Sequence, residues 1–97
     1  MKVRIKKTDP SVELPKYGTG ESAGFDMASN IDITVPAGQV VKIPTGLVIE
    51  APHGYFLLVA ARSSLPAKKG LTLANGIGVV DRDYSGPNDE IGILVYN

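Results

Sequence analysis

The chain has 97 residues, 43% of them hydrophobic, and its ten basic and ten acidic side chains give a formal net charge of +0. This length allows one domain at most with a thin core, and the balanced charge argues against general affinity for nucleic acids or membranes. The lack of cysteine excludes disulfides and thiolate chemistry and is typical of a cytoplasmic protein, and no apolar run approaches the ~20 residues that cross a bilayer.

Apolar and polar residues alternate with a period of two, which predicts β-strands rather than helices. In chain order the predicted strands cover residues 3–6, 31–35, 39–43, 47–49, 55–60, 78–80 and 90–96. One helix is predicted over Ser64–Lys69, where Ser63 or Ser64 would cap the first turn and Gly70 would end the last. Many short strands separated by glycine and proline turns indicate an all-β fold, either a sandwich or a barrel.

The last predicted strand runs almost to Asn97, where the chain stops. An edge strand carries unpaired amides that invite aggregation unless something covers them. We therefore expect either that this strand pairs inside an assembly or that the chain is a fragment of a longer one, and we favour the fragment.

The first candidate site lies in the segment Ala23-Gly24-Phe25-Asp26. A carboxylate that follows a flexible glycine could hold a magnesium ion, directly or through its water shell, because Mg²⁺ keeps several waters and bridges phosphate oxygens. The alternative is that Asp26 is a turn residue that bonds to its own backbone.

The second candidate site is Arg62-Ser63-Ser64. The planar guanidinium matches phosphate oxygens, and serine hydroxyls and amides at a helix start favour anions. The alternatives are simple helix capping beside an exposed arginine and a nucleophilic serine, which is disfavoured because no histidine lies nearby in the sequence.

The third candidate site runs from Asn75 to Gly86. Gly76 and Gly78 allow a tight hairpin whose backbone groups can face a planar base, and the Asn75 amide adds a donor and an acceptor. The alternative is an acidic turn that only joins two strands.

Two carboxylates and a tyrosine follow that hairpin. Asp81 comes at the end of an apolar run and could take a proton from a water that attacks phosphorus. Tyr84 could stack on a sugar and leave no space for a 2′-hydroxyl. Asp83 would lie on the same side as Asp81 if the segment is extended.

These three segments, in this order, resemble three sequence motifs of the homotrimeric dUTPase family. The matching residues are Ala23–Asp26, then Arg62–Leu65 with Lys69 and Gly70, then Asn75, Gly78–Asp81, Asp83, Tyr84 and Gly86. The resemblance implies a single domain over residues 1–97 with a jelly-roll-like β-barrel and one short helical segment. It also implies a homotrimer that hydrolyses dUTP to dUMP and pyrophosphate with Mg²⁺, and that binds neither nucleic acid nor membrane.

The resemblance also implies a role for each site residue. Asp81 would activate the water, Tyr84 would pack on deoxyribose, and Asp26 would lie near the metal. The remaining expected substrate contacts are Asn75, Gly78 and Val80 for the base and Arg62, Ser63 and Ser64 for the phosphates.

Two further motifs of the family would lie beyond Asn97: a phosphate-binding glutamine and a glycine-rich arm that closes over the substrate. Since the family assembles each site from three subunits, every site would lack them. From the resemblance we expect an incomplete domain, weak or absent activity of these 97 residues, and impaired trimerisation.

Two other functions are open on the same resemblance. The dCTP deaminases share a similar barrel, but Val95 occupies the position of their catalytic glutamate, and a valine cannot carry protons. A non-catalytic relative that binds deoxynucleotides without turnover is the second alternative. An unrelated β-domain would have to match three ordered motifs by chance.

Overall fold

The computed structural model describes all residues from 1 to 97. It contains nine short strands and one helix. In chain order they are β1 (Arg4–Lys7), β2 (Lys16–Tyr17), β3 (Phe25–Asp26), β4 (Val40–Pro44), β5 (Leu47–Glu50), β6 (Leu57–Val59), α1 (Ser64–Lys69), β7 (Thr72–Leu73), β8 (Gly78–Val80) and β9 (Gly92–Tyr96). The predicted all-β class with one short helical segment is confirmed.

The strands pair in four small antiparallel sheets. These are β1 with β5, β2 with β3, β6 with β8, and the three-stranded order β4-β9-β7. The register places Leu58 opposite Val79 in the β6–β8 ribbon and Lys42 opposite Leu94 in the β4–β9 pair. Strand β9 therefore has a partner on each side, so it is not the exposed edge that its sequence position alone indicated.

The helix has the predicted bounds, and Gly70 ends it in the left-handed region at φ 65°. The Gly70 amide donates to the Pro66 carbonyl at 3.1 Å, and the Leu71 amide donates to the Leu65 carbonyl at 3.4 Å. Glycine adopts this conformation without the steric cost of a Cβ. The predicted serine cap is wrong, because Ser63 stands at the N-cap position but its side chain makes no capping hydrogen bond.

The strand predicted over residues 31–35 is wrong as well, because this segment has no strand partner. A hydrogen bond connects this segment to the residue after β9: the side-chain amide of Asn97 donates to the Val35 carbonyl at 2.8 Å. Strands β2, β3 and β7 were not predicted. Each has only two residues, which is too few to show a period of two.

The core forms around strand β5. Val12, Leu47, Ile49 and Ile91 make one buried cluster, and Ile5, Phe25, Met27, Leu57, Val80 and Ile93 pack against it. Ile49 is only 1% exposed. The cluster draws on residues from both ends of the chain, so burial of this small core holds together the segments that carry the candidate site.

Hydrogen bonds tie the start of β9 to the turn before β5. The Ile91 amide donates to the Leu47 carbonyl at 2.8 Å, and the buried Thr45 hydroxyl donates to the Ile91 carbonyl at 2.6 Å. Buried polar groups of this kind are costly unless paired, and here they are paired. The loop that precedes Ile91 is therefore fixed to the core at its far end.

Candidate active site

A cleft of about 360 Å³ is lined by residues of strands β8 and β9. This is within the size range of small-molecule sites. Among the residues predicted from the sequence, it brings together Asn75, Gly78, Val80, Asp81 and Tyr84. Sequence reasoning missed five other lining residues on or next to strands β4 and β9: Lys42, Ile91, Gly92, Ile93 and Leu94.

The turn at Asn75 differs from the predicted hairpin. Gly76 has a φ of +75°, and its amide donates to the Leu73 carbonyl at 3.0 Å, so the chain does turn tightly here. However, β7 pairs with β9 whereas β8 pairs with β6, so the turn connects two different sheets. The hairpin prediction failed because a glycine-rich turn says nothing about which strands its flanks join.

Gly78 lets strands β8 and β6 lie close together. A Cβ at this position would come within 3.1 Å of the Val59 Cβ and 3.9 Å of the Asn75 side-chain nitrogen. A larger residue would therefore push β8 away from β6 and shift the floor of the cleft.

Asp81 begins a tight turn rather than an extended segment. The Tyr84 amide donates to the Asp81 carbonyl at 3.1 Å, which closes the turn over residues 81–84. The prediction that Asp83 shares the face of Asp81 is therefore wrong, and only Asp81 lines the cleft. The Asp81 carboxylate is exposed and makes no hydrogen bond or ion pair within the chain. It is therefore free to accept a proton or a hydrogen bond from a ligand.

Tyr84 lines the cleft, and its hydroxyl is hydrogen-bonded to the main chain. The residue is 42% exposed, and its hydroxyl donates to the Glu90 carbonyl at 3.2 Å. A tyrosine held at its polar end leaves an apolar face for stacking.

Glu50, which lies outside the three sequence motifs, supports the same loop. Glu50 lies 3.8 Å from the Arg82 guanidinium and accepts a long 3.5 Å hydrogen bond from the Ser85 hydroxyl, which also has the Arg82 carbonyl as acceptor at 2.8 Å. These contacts join the turn to β5. No sequence signal identifies Glu50, because the contact spans 35 residues.

The other predicted site residues lie outside this cleft. Arg62 Nη1 is 3.1 Å from Asp26 Oδ2, with 72% and 44% of the two side chains exposed, and Ser63 and Ser64 follow at the start of α1. Asp26 instead lines a second cleft of about 560 Å³ beside residues 11–18. One chain thus holds two separate groups of predicted site residues, one at Asp81 and Tyr84 and the other at Asp26 and Arg62.

The structure contains no group of three or more histidine, cysteine or acidic side chains that could form a metal cage. Mg²⁺ often needs only one or two carboxylates when it arrives with substrate phosphates. One Asp26 oxygen bonds to Arg62, and the other, Oδ1, has no hydrogen-bond partner in the chain. These residues fit a magnesium ion carried by a triphosphate. The one helix, α1, is too short to span a membrane.

Comparison with known proteins gives concordant results. The family model described as dUTPase matches residues 10–97. The deoxyuridine 5′-triphosphate nucleotidohydrolase of Desulfitobacterium hafniense is 47% identical over 100 residues, which cover 100% of this chain and 64% of that protein. The deoxyuridine 5′-triphosphate nucleotidohydrolase of Nautilia profundicola is 40% identical over 97 residues, which cover 100% of this chain and 66% of that protein.

Solved structures show the same fold. The dUTPase of Streptococcus mutans has a TM-score of 0.86 and 36% identity, covering 96% of this chain and 77% of that one. A mutant dUTPase from phage phi11 of S. aureus, which coordinates a structural Mg(II) ion, has a TM-score of 0.88 and 23% identity. The match covers 100% of this chain and 60% of that one. The predicted fold class is confirmed. The chain spans about two thirds of the length of the curated relatives it matches.

Proposed function

Because the chain belongs to the dUTPase family, we propose that it carries the base-binding and catalytic part of a dUTP diphosphatase, which converts dUTP and water to dUMP and pyrophosphate. The observation that supports this most is the single cleft shared by the free Asp81 carboxylate, the Tyr84 ring and the Asn75 amide. A base, a sugar and a reacting phosphorus need such groups within a few ångströms of one another.

Asp81 is the proposed general base. Its carboxylate would take a proton from a water molecule as the water oxygen bonds to the α-phosphorus. The bond from the α-phosphorus to the bridging oxygen breaks, and pyrophosphate leaves with that oxygen. The exposed and unpaired state of the Asp81 side chain supports this role, because no internal partner competes for its lone pairs.

Tyr84 and the turn at Asn75 are the proposed determinants of the nucleoside. The Tyr84 ring would pack on the deoxyribose, where a 2′-hydroxyl would meet the ring face and lose its water without gaining a hydrogen bond. Asn75 would read the uracil edge with its amide, and Gly78 and Val80 would form the floor of the base site.

The phosphate contacts are proposed to come from another copy of the chain. Arg62, Ser63 and Ser64 do not line the Asp81 cleft of their own chain, so a second subunit would have to bring them there. The β6–β8 ribbon supports a homotrimer, because Leu58 and Val79 face each other at 57% and 59% exposure with Phe56 and Ile77 beside them. An apolar strand pair left open to water favours association.

Magnesium is proposed to accompany the triphosphate, held by the free oxygen of Asp26. Such an ion, when bound, would neutralise phosphate charge. Arg62 would use one guanidinium N–H group for Asp26 and others for a phosphate, because its planar guanidinium presents several donors.

We infer that residues 1–97 belong to one domain, since one buried cluster joins segments from both ends of the chain. A deaminase function is disfavoured, because Val95 is 3% exposed in the core and offers no proton-transfer group. The cytoplasmic location remains a prediction from the sequence.

The proposal is tested by nucleotide binding and turnover together. Calorimetry should show that dUMP binds more tightly than UMP or dCMP, and ³¹P NMR should show pyrophosphate from dUTP but not from UTP. Binding without turnover, in a chain proven to be natural and complete, would favour the non-catalytic alternative, whereas equal affinity for all three monophosphates would contradict the proposal.

A further inference from the structure

We infer that Glu90 is a positioning residue that sets how strictly the cleft distinguishes a deoxyribose from a ribose. This inference rests on the proposed function, in which Tyr84 packs on the sugar. Glu90 does not line the cleft and would touch neither substrate nor metal. It acts through the hydrogen bond that its main-chain carbonyl accepts from the Tyr84 hydroxyl.

The side chain of Glu90 is anchored to a buried turn. Its Oε2 accepts a hydrogen bond from the Gly46 amide at 2.9 Å, a contact across 44 residues. Gly46 is buried, and no backbone carbonyl accepts its amide hydrogen. Without the Glu90 carboxylate, this amide would be a buried donor with no partner, which is one of the costlier defects in a protein core.

The backbone at Gly46 has little room to shift. Its φ is +71°, and a Cβ there would come within 2.6 Å of Val12 Cγ2, so the backbone packs directly on the core cluster. The anchor that receives Glu90 is therefore a rigid part of the fold. Its position is set by the core and not by the site.

The main chain of Glu90 is fixed on its other side by Ile91. The Ile91 amide and carbonyl are both bonded, to Leu47 and to Thr45 respectively. With the side chain held at Gly46 and the next peptide held at the core, the Glu90 carbonyl has little freedom to rotate. Since that carbonyl accepts the Tyr84 hydroxyl at 3.2 Å, the polar end of the ring is fixed relative to the core.

The other end of Tyr84 is fixed by the turn that contains Asp81, through the bond from the Tyr84 amide to the Asp81 carbonyl. Tyr84 is thus held at two points, although it is 42% exposed and lines the cleft. Removing the Glu90 carboxylate should release one of these points. The ring could then swing aside and admit a 2′-hydroxyl, so ribonucleotide binding gains relative to deoxyribonucleotide binding.

The test compares Glu90→Gln, Glu90→Ala and Tyr84→Phe. Glu90→Gln keeps an acceptor for the Gly46 amide and should behave like the unaltered chain. In Glu90→Ala, the preference for dUMP over UMP, measured as the ratio of dissociation constants, should fall about five- to tenfold, as expected for one neutral hydrogen bond. Tyr84→Phe should lose a similar factor, and adding Glu90→Ala to Tyr84→Phe should cost little more.

NMR gives a readout that does not depend on any nucleotide. In Glu90→Ala, exchange of the Gly46 amide hydrogen should be faster by about tenfold or more, because its acceptor is gone. The Tyr84 ring signals should also shift or broaden, and Glu90→Gln should restore both.

Several results would overturn the inference. These are unchanged Tyr84 signals in Glu90→Ala, an unchanged nucleotide ratio, or additive losses in the double variant, which would mean that Glu90 only supports the fold. If the unaltered chain binds neither monophosphate, the proposed function fails by itself. The Gly46 and Tyr84 signals then still decide whether Glu90 positions the ring.

Discussion

The guanidinium of Arg62 lies 3.1 Å from the carboxylate of Asp26, although 36 residues separate them in the chain. Two sequence motifs that were interpreted separately, one for phosphate and one for a metal, therefore meet in space. Because both side chains are largely exposed, the pair contributes little to stability and is available to a ligand.

Replacing this guanidinium should weaken triphosphate binding selectively. Arg62→Ala should lower the affinity for a non-hydrolysable dUTP analogue by about tenfold or more, the scale of a charge-assisted hydrogen bond. It should change dUMP binding much less, because Arg62 does not line the Asp81 cleft. Calorimetry with both ligands checks this, and Lys68→Ala, which removes an exposed cation later in α1, is the control. Equal losses for both variants would refute the assignment.

Asp26→Asn tests the magnesium proposal. The amide keeps the shape but is a poor ligand for Mg²⁺. The gain in analogue affinity that Mg²⁺ provides in the unaltered chain should shrink in Asp26→Asn, and EDTA should remove the difference between the two proteins. A magnesium effect of undiminished size in Asp26→Asn would show that the ion is held elsewhere.

The β6–β8 ribbon should mediate association between copies. Leu58→Lys places a charge opposite Val79 in the middle of the exposed apolar pair and should abolish concentration-dependent self-association in light scattering. Leu14→Lys, at a residue 52% exposed outside this ribbon, is the matched control and should associate like the unaltered chain. If both variants or neither lose association, another surface is responsible.

Gly46→Ala should destabilise the fold strongly, because the new Cβ would meet Val12 Cγ2 at 2.6 Å and the φ of +71° is unfavourable for alanine. We expect a loss of roughly 2–4 kcal/mol in the free energy of unfolding, from overpacking and backbone strain together. Gly38→Ala has a similar φ of +74° with nothing within 4 Å, so it should lose only about 1 kcal/mol. Urea unfolding measures both, and similar losses would mean that contact with Val12 is unimportant.

Local features of the fold were predictable from the sequence. The period of two, the bounds of α1 at Ser64–Lys69 and its end at Gly70 all depend on neighbouring residues. The strand predicted over residues 31–35 is absent because strand formation also depends on distant residues. Alternation makes a strand possible, but the strand also needs a partner, and partners are set by the whole topology.

The same limit applies to the candidate site. Five residues of the Asp81 cleft were predicted because they lie within one short segment, from Asn75 to Tyr84. The supporting contacts of Glu50 and Glu90 were not, because each joins loops that are distant in sequence. Hydrogen bonds across 35 and 44 residues leave no local pattern to recognise.

The most direct test of the catalytic account is the rate of pyrophosphate release from dUTP by Asp81→Asn, compared with the unaltered chain and with Asp83→Asn. The two aspartates share one turn, but only Asp81 lines the cleft. ³¹P NMR over long incubations follows pyrophosphate release directly and detects slow turnover. We predict a loss of about 100-fold or more for Asp81→Asn, the scale of general-base catalysis, with dUMP binding retained and Asp83→Asn close to the unaltered rate. A measurable rate of pyrophosphate release that is equal for Asp81→Asn and the unaltered chain would contradict the account.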